Sequence, residues 1–222
     1  PITNPKTYQE FSIEYLNDYV VIIHFDFYNG AMSTIQCQRF SKAISSLKNI
    51  KQDIIIFSGS KRNWSNGLHL NVCENSKDPR EESYANIKAI NDVVKSIYYL
   101  DQKITIAAIQ TNAGAGGFYL SLACDYVFSD DYSVINPHYK KMGLYGSELQ
   151  TLLAEKRIGS NLLRTILDSA KPMIAKEART IGLIDNFPKI FSDSEHLSFV
   201  NKVMSFALNL SLTKKDEVQR KL

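Results

Sequence analysis

The chain has few cysteines, and their number and spacing argue against a protein stabilised by disulfides or by zinc. Only Cys37, Cys73 and Cys124 occur among its 222 residues, and no Cys-x-x-Cys pair is present. Three widely spaced thiols do not make a disulfide framework, and the four histidines lack the spacing of zinc ligands. The sequence therefore predicts no structural disulfide and no metal site. Cysteines of this kind are typical of a reducing compartment, so we expect a cytoplasmic protein.

The sequence also lacks a large excess of either charge, and it lacks flexible linkers. The 26 basic and 23 acidic residues leave a net charge of +3, too small to argue for nucleic acid binding. No repeat, low-complexity segment or linker rich in proline and glycine divides the chain. We therefore expect one domain over residues 1–222, with a core at about 11–185 and a helical C-terminal region at about 186–222.

One long uncharged stretch, residues 104–124, is present, but its interior does not suit a membrane span. Polar residues at 110–112 and a cluster of glycines at 114–117 interrupt it. An apolar run, a glycine cluster and a second apolar run indicate a buried strand, a tight turn and a buried helix. Glycines in such a turn let a ligand approach the backbone, and the N–H groups at the start of a helix bind negative charge.

Apolar strand segments alternate with helical segments along the chain, which is typical of an α/β fold. The predicted strands are 11–16 and 19–25, which form a hairpin, then 53–57, 104–109, 126–128 and 133–135. Helices are predicted from Ser33, as part of a Ser33-x-x-Gln36 capping box, to about Leu47, over about 81–100, and from starts near 147, 160, 175 and 194.

Two loops follow strands that we expect to be neighbours. Trp64-Ser-Asn-Gly-Leu-His-Leu70 comes after the strand at 53–57, and the Gly114–Gly117 turn comes after the strand at 104–109. Parallel neighbours end at the same edge of a sheet, where the ligands of α/β folds bind. The sequence therefore predicts a ligand site between these two loops.

This pair of loops resembles the crotonase (enoyl-CoA hydratase/isomerase) superfamily, over roughly residues 19–183. The supporting motifs, in chain order, are Ile55–Gly59, the loop 64–70, the turn 114–117 followed by Leu120-Ser-Leu-Ala-Cys-Asp125, and Ala175–Leu183. The resemblance implies a crotonase-type α/β spiral, ClpP/crotonase-like, with a helical C-terminal region. It also implies that the N–H groups of Leu68 and Gly116 bind the thioester oxygen of an acyl-CoA.

By the same resemblance, coenzyme A is bound as an acyl-CoA substrate along both loops. Lys61 and Arg62 precede the first loop, and their cations suit the CoA phosphates, although a solvated loop also accounts for them. The expected CoA-binding residues are Lys61, Arg62, Asn66, Leu68, His69, Leu70, Asn71, Gly116 and Gly117.

The chain departs from the hydratases of this superfamily at the two catalytic glutamates. The corresponding positions are occupied by Tyr119 and His138. Adding water to a double bond requires a general acid and base, so the resemblance argues against an ordinary enoyl-CoA hydratase. Tyr119 itself suits the core as well as it suits catalysis.

Three further motifs are similar to one subfamily, the crotonase-like C-terminal half of HypX/HoxX-type hydrogenase maturation factors. They are residues 24–33, the loop 64–71, and Asn136-Pro-His-Tyr-Lys-Lys-Met-Gly-Leu-Tyr-Gly-Ser-Glu148. In that subfamily an N-terminal half transfers a formyl group to CoA, and the crotonase-like half releases carbon monoxide for the nickel–iron centre. The resemblance thus implies a lyase acting on formyl-CoA, with a formyltransferase half or the maturation machinery as partner. It also implies a weak or absent homotrimer.

Decarbonylation of a formyl thioester must move the formyl proton and protonate the departing thiolate. The third motif supplies four groups for this purpose: His138, Tyr139, Tyr145 and Glu148. Burial would make Glu148 the most useful of them by raising its pKa. Packing with satisfied hydroxyls is the alternative role for the two tyrosines.

Several alternatives remain open at the level of sequence. A hydratase or isomerase acting on another acyl-CoA, and an inactive CoA-binding or assembly domain, both fit the loops. A dinucleotide-binding domain fits poorly, because Tyr119 stands where the third glycine of its fingerprint belongs. We expect His24 to be structural, whereas Trp64 suits either the ligand or the core.

Overall fold

The computed structural model describes residues 9–137, 139–192 and 197–220, with side chains for 9–137, 139–190 and 197–213. The strands are β1 (Phe11–Tyr15), β2 (Val20–Phe25), β3 (Ala31–Met32), β4 (Ile54–Ser58), β5 (Gly67–Leu68), β6 (Ile104–Ile109), β7 (Ala113–Gly114), β8 (Tyr126–Ser129), β9 (Val134–Asn136) and β10 (Met173–Ile174). The helices are α1 (Thr34–Ser46), α2 (Leu70–Glu74), α3 (Pro79–Tyr98), α4 (Ala115–Ser121), α5 (Gln150–Ser169), α6 (Ala175–Thr180), α7 (Lys189–Ser192) and α8 (Phe199–Arg220).

A five-stranded sheet in the order β1-β2-β4-β6-β8 forms the centre of the fold. The predicted hairpin is confirmed, since β1 pairs antiparallel with β2, and the other three pairings are parallel. A second sheet has the order β10-β9-β7, and β3 pairs in parallel with β5. The strands β4 and β6 are therefore neighbours, and the loops that follow them meet at one edge as predicted.

Both faces of the central sheet are buried, which explains why its inner strands lack charge. Because side chains alternate along a strand, β2 directs Val21 and Ile23 into the core that includes α1 and α3. Val20 and Ile22 belong to a second cluster, which is covered by side chains of α8. Ile55 of β4 belongs to the first cluster and Ile106 of β6 to the second, and both are fully buried.

Some helix boundaries differ from the predicted ones for identifiable reasons. Helix α3 begins two residues early because Asp78 caps it, accepting from the N–H groups of Arg80 and Glu81 at 3.0 Å each. Helix α5 is interrupted at Gly159, whose backbone is non-helical (φ +74°), so it consists of two helical segments, and the second begins at Ser160 as predicted. The start predicted at Ser194 lies outside the described residues.

The two predicted loops are joined through their backbones. The Trp64 N–H donates to the Asn112 carbonyl at 2.9 Å, and the Gly114 N–H donates to the Ser65 carbonyl at 3.0 Å. The Trp64 indole is buried and donates to the Gly117 carbonyl at 3.0 Å. Trp64 thus belongs to the core, where it closes the junction between the loops.

The uncharged stretch forms β6, β7 and α4, so the prediction of strand, turn and helix is confirmed. Across the described residues, no helix combines the length and the apolar character needed to cross a membrane.

Gly117 is expected to tolerate no side chain. A Cβ at position 117 would lie 2.1 Å from the Ser65 carbonyl oxygen, a backbone atom that the junction holds in place. We expect Gly117→Ala to lower the free energy of unfolding by about 3 kcal/mol or more through overpacking. Urea denaturation measures the loss.

Gly143→Ala provides the control, because a Cβ there meets nothing within 4 Å and only its positive φ (+69°) is unfavourable. We expect a loss of about 1–2 kcal/mol for this variant. Equal losses in the two variants would contradict the close approach of the loops.

Candidate active site

The junction of the loops brings backbone onto backbone with no room for side chains. Gly67 has φ +81°, and a Cβ placed on it would lie 3.1 Å from Gly116 Cα and 3.2 Å from Gly117 N. The Ser65 hydroxyl accepts from the Gly67 N–H at 3.1 Å and donates to the Gly30 carbonyl at 3.2 Å. Glycine is required on both sides of this contact.

The geometry leaves two backbone donors near the junction. The His69 N–H donates to the Met32 carbonyl of β3 at 3.2 Å. Since alternate N–H groups of a strand point in opposite directions, the Leu68 N–H is directed away from β3. Gly116 is the second residue of α4, where N–H groups have no partner inside the helix.

A cavity of about 200 Å³ opens beside these donors. Its walls come from both loops, from β9 and from the segment after it. The lining residues are Asn66, Leu68, Leu70, Gly114, Ala115, Gly116, Asn136, Tyr139, Met142 and Leu144. Leu68, Gly116 and Tyr139 all belong to this lining.

Glu148 is a fully buried carboxylate behind this cavity. Its Oε2 accepts from the Tyr139 hydroxyl at 2.7 Å and from the Ser147 hydroxyl. Its Oε1 has no hydrogen-bond partner among the described residues and lies against Gly116, whose added Cβ would be 1.9 Å away. The carboxylate thus joins the predicted proton-transfer residue Tyr139 to the glycine turn.

Burial sets the protonation of this group. It raises the pKa of Glu148, because charging a carboxyl away from water is unfavourable, while the hydrogen bonds from Ser147 and Tyr139 oppose that rise. Burial and the neighbouring carboxylate also raise the pKa of Tyr139, so its phenol remains a proton donor. A carboxyl of raised pKa bonded to a neutral phenol is suited to receiving and returning a proton.

The backbone around Glu148 is strained. Glu148 and Leu149 have φ of +54° and +52°, a left-handed conformation that is unfavourable for residues with a Cβ. The Asn91 side chain on α3 accepts from the Glu148 N–H at 2.7 Å and holds this turn. Such strain persists where the surrounding contacts determine the conformation, and it occurs often at functional sites.

Tyr119, in the place of one hydratase glutamate, forms part of the wall behind the site. Its hydroxyl donates to the Pro137 carbonyl at 2.6 Å, and its ring stacks on Tyr139 with centroids 5.9 Å apart. Burial raises its pKa. Its phenol is therefore engaged in packing and lies away from the cavity lining.

One predicted proton-transfer residue, Tyr145, is not brought to this cluster. The Tyr145 side chain is 98% exposed, so its phenol does not meet Glu148. His138 lies outside the described residues. His24, expected to be structural, pairs with Glu14 at 2.8 Å on the hairpin.

The predicted CoA-binding residues divide into two groups. Leu68, Leu70, Asn66 and Gly116 line the cavity, and Gly117 is buried next to Gly116 on α4. The others lie outside the lining: Lys61 and Arg62 are exposed, Arg62 pairs with Asp26 at 2.9 Å, His69 is half-buried, and Asn71 is exposed on α2.

Two residues that hydrogen-bond Glu148 were not predicted from the sequence. Ser147 bonds Glu148 directly, and its position beside that residue in the third motif was an available signal. Asn91 lies in a long helix with no motif around it, and only its contact with Glu148 identifies it.

The cysteines are not suited to nucleophilic catalysis. Cys37, Cys73 and Cys124 are all free and buried. Burial, with a smaller contribution from the Glu148 charge, raises the pKa of Cys37 to about 12, and burial also raises that of Cys73. Neither thiol supplies a thiolate near neutral pH.

The stacked turns of strand and helix, with two glycine-bearing loops meeting at one sheet edge, define a crotonase-type fold. The enoyl-CoA hydratase/isomerase family model matches residues 19–222, and the chain belongs to that family.

Two proteins similar to this chain are HoxX, a hydrogenase maturation factor, and HypX, whose crystal structure is known. The hydrogenase maturation factor HoxX of Bradyrhizobium diazoefficiens is 39% identical over 162 residues, covering 72% of this chain and 29% of that protein. The crystal structure of HypX from Aquifex aeolicus with tetrahydrofolic acid has a TM-score of 0.78 and 45% identity, covering 81% of this chain and 32% of that one. The chain thus spans about a third of their length.

An enoyl-CoA hydratase from Bacillus anthracis has a TM-score of 0.80 at 19% identity, covering 91% of this chain and 77% of that one. This similarity confirms the predicted fold.

The raised pKa of Glu148 predicts how stability depends on pH. The folded chain holds this proton to a higher pH than the unfolded chain does. The associated stability is therefore complete below the unfolded pKa and is lost as the pH rises through the folded pKa. Glu148→Gln removes the titration, so its stability relative to wild type should improve with rising pH, by about 1.4 kcal/mol per unit of pKa shift.

Urea denaturation between pH 4.5 and 8.5 measures this difference, and Glu155→Gln, at an exposed position on α5, is the matched control. A difference between Glu148→Gln and wild type that does not change with pH would show that Glu148 titrates normally.

Proposed function

We propose that this chain binds an acyl-CoA thioester across the two loops and releases carbon monoxide from formyl-CoA during nickel–iron hydrogenase maturation. Membership of the enoyl-CoA hydratase/isomerase family supports the substrate class. The similarity to HoxX, a hydrogenase maturation factor, supports the context. The observation that carries the proposal is the buried Tyr139–Glu148 pair beside Gly116.

The two loops would polarise the thioester. In the proposed complex, the carbonyl oxygen lies between the N–H groups of Leu68 and Gly116, which line the same cavity. One such donor contributes about 3 kcal/mol of transition-state stabilisation in enzymes where it has been removed. This arrangement also orients the acyl carbon towards Tyr139.

The Tyr139–Glu148 pair would move the proton. The formyl C–H bond breaks, its proton passes to the Tyr139 oxygen, and the phenol proton passes to Glu148. The C–H electron pair stays on carbon, the C–S pair leaves with sulfur, and carbon monoxide departs. The proton returns through Tyr139 to the thiolate, so formyl-CoA gives carbon monoxide and free CoA without any redox partner.

The same cluster favours this reaction over hydration. Hydration uses two carboxyl groups, and one of those positions is occupied by Tyr119, whose hydroxyl is bonded to the Pro137 carbonyl. A single carboxylate with one relaying phenol suits the transfer and return of one proton. We further propose that a formyltransferase, fused or separate, supplies the formyl-CoA.

Carbon monoxide release is the direct test. Purified chain with formyl-CoA should convert deoxymyoglobin to its carbonmonoxy form, in step with the appearance of free thiol. Tyr139→Phe and Glu148→Gln should each lower the rate by about 10²–10⁴-fold, the usual contribution of a general acid or base. Tyr132→Phe, an 86% exposed tyrosine in the turn before β9, is the control.

Parallel assays with crotonyl-CoA and with a 3-enoyl-CoA separate the alternatives. Hydration or isomerisation without carbon monoxide would overturn the proposal, and formate in place of carbon monoxide would indicate a thioesterase. Tyr145→Phe should retain full activity if its phenol stays as exposed as it is here.

The cations before the first loop predict salt-dependent CoA binding. Lys61→Ala combined with Arg62→Ala should weaken CoA binding by about fivefold to tenfold at low salt, because two charges that suit phosphate are lost. Calorimetry with CoA measures the change, and Lys171→Ala with Lys176→Ala, both exposed, is the matched control. Equal affinities for the two double variants would place the phosphates elsewhere.

A further inference from the structure

Helix α3 contacts two parts of the candidate site through asparagine side chains: the strand pair beside Leu68 and the turn at Glu148. Asn86 is fully buried, and Asn91 is half-buried. They are five residues apart, or about 7.5 Å along a helix axis. Neither belongs to the residues assigned above to substrate binding or proton transfer.

Asn86 holds the strand pair that carries the Leu68 donor. Its Oδ1 accepts from the His69 N–H at 3.2 Å, and its Nδ2 donates to the Met32 carbonyl at 3.0 Å. One amide thus spans β3 and β5 directly after Leu68. The thiols of Cys37 and Cys73 pack against it at 3.8 and 3.7 Å, so its orientation is fixed on both sides.

Asn91 contacts the turn that carries Glu148. Its Oδ1 accepts from the Glu148 N–H at 2.7 Å, and this hydrogen bond joins the left-handed turn to α3. Without an acceptor there, the strained backbone at Glu148 and Leu149 would relax towards ordinary φ values. The direction of the Glu148 carboxylate depends on that turn.

We propose that Asn86 and Asn91 are positioning residues that fix the distance between the polarising loop and the proton-relay carboxylate. Both are attached to one rigid helix, which packs along α1 in the core. A substrate held by Leu68 is thereby placed at a set distance from the Tyr139–Glu148 pair. The role in turnover rests on the proposed function, whereas the positioning itself does not.

The test uses leucine variants, which keep the side-chain size and remove the hydrogen bonds. In the ligand-free chain, Asn86→Leu should move the Leu68 and His69 amide resonances and leave the titration of Glu148 unchanged. Asn91→Leu should do the reverse, shifting the midpoint of the buried carboxyl C=O band by about one pH unit, the equivalent of one hydrogen bond. The titratable groups facing Glu148, Tyr139, Tyr119 and Cys37, are intact in both variants.

[1-13C]Acetyl-CoA extends the test to the bound thioester. Its carbonyl resonance should shift on binding to wild type, lose that shift in Asn86→Leu, and keep it in Asn91→Leu. If formyl-CoA is turned over, each variant should lower kcat by about 10²-fold with little change in KM, as expected for a small misplacement. Asn91→Asp, which retains an acceptor, should restore the Glu148 backbone amide resonance.

Val93→Ala, on the buried face of the same helix, is the control for lost stability. If each leucine variant changes both readouts, or if Val93→Ala reproduces either change, α3 has a purely structural role and the inference is overturned. A different result is possible in which each leucine variant changes only its own ligand-free readout but wild type does not bind acetyl-CoA. That result would support the positioning role of the two asparagines and overturn the proposal that the chain binds an acyl-CoA.

Discussion

The close approach of two backbones is the constraint on which the rest of the site depends. A Cβ on Gly67 would be too close to Gly116 and Gly117. The Trp64 indole stabilises this contact by donating a hydrogen bond to the Gly117 carbonyl. Because the loops follow adjacent parallel strands, the register of β4 with β6 fixes where they meet. A shift of either strand by one residue would turn its buried side chains to the opposite face, so the core protects the geometry of the loops.

Burial of the Glu148 carboxylate is unfavourable for the stability of the fold. A buried carboxyl with one oxygen unpaired among the described residues opposes folding when it is charged, and two hydroxyls compensate only in part. Tyr139 and Tyr119 stack beside it, so water is kept from the buried oxygen. The burial that lowers stability also raises the pKa of this carboxyl group above that of surface carboxyl groups. Shifted pKa values of this kind are common in catalytic sites.

Much of the fold followed from the sequence because the signals are local. The alternation of apolar segments with helices predicted the strands that form the central sheet, and the Gln36 side chain accepts from the Ser33 N–H at 2.8 Å as the capping box required. Spacing along the chain also placed the two loops at one edge. The assignments of Leu68 and Gly116 as donors and of Tyr139 and Glu148 as a proton relay remain predictions, although the structure brings all four to one place.

The rest could not be predicted, since it depends on contacts between distant parts of the chain. Tyr145 belongs to the same motif as Tyr139, but local turns direct one phenol into solvent and the other onto Glu148. Asn86 and Asn91 look like ordinary polar residues of a helix, and only the tertiary structure shows what they hold.

The covering of the central sheet by α8 has a consequence for synthesis. Val203, Phe206 and Ala207 bury the face formed by Val20, Ile22, Ile54, Ile56 and Ile106. On the ribosome every strand of that sheet emerges before α8 does, so a broad aliphatic surface stays uncovered until the helix arrives. Nascent chains with such surfaces are prone to aggregation and are clients of chaperones. Until α8 has emerged, this face of the growing polypeptide depends on such protection.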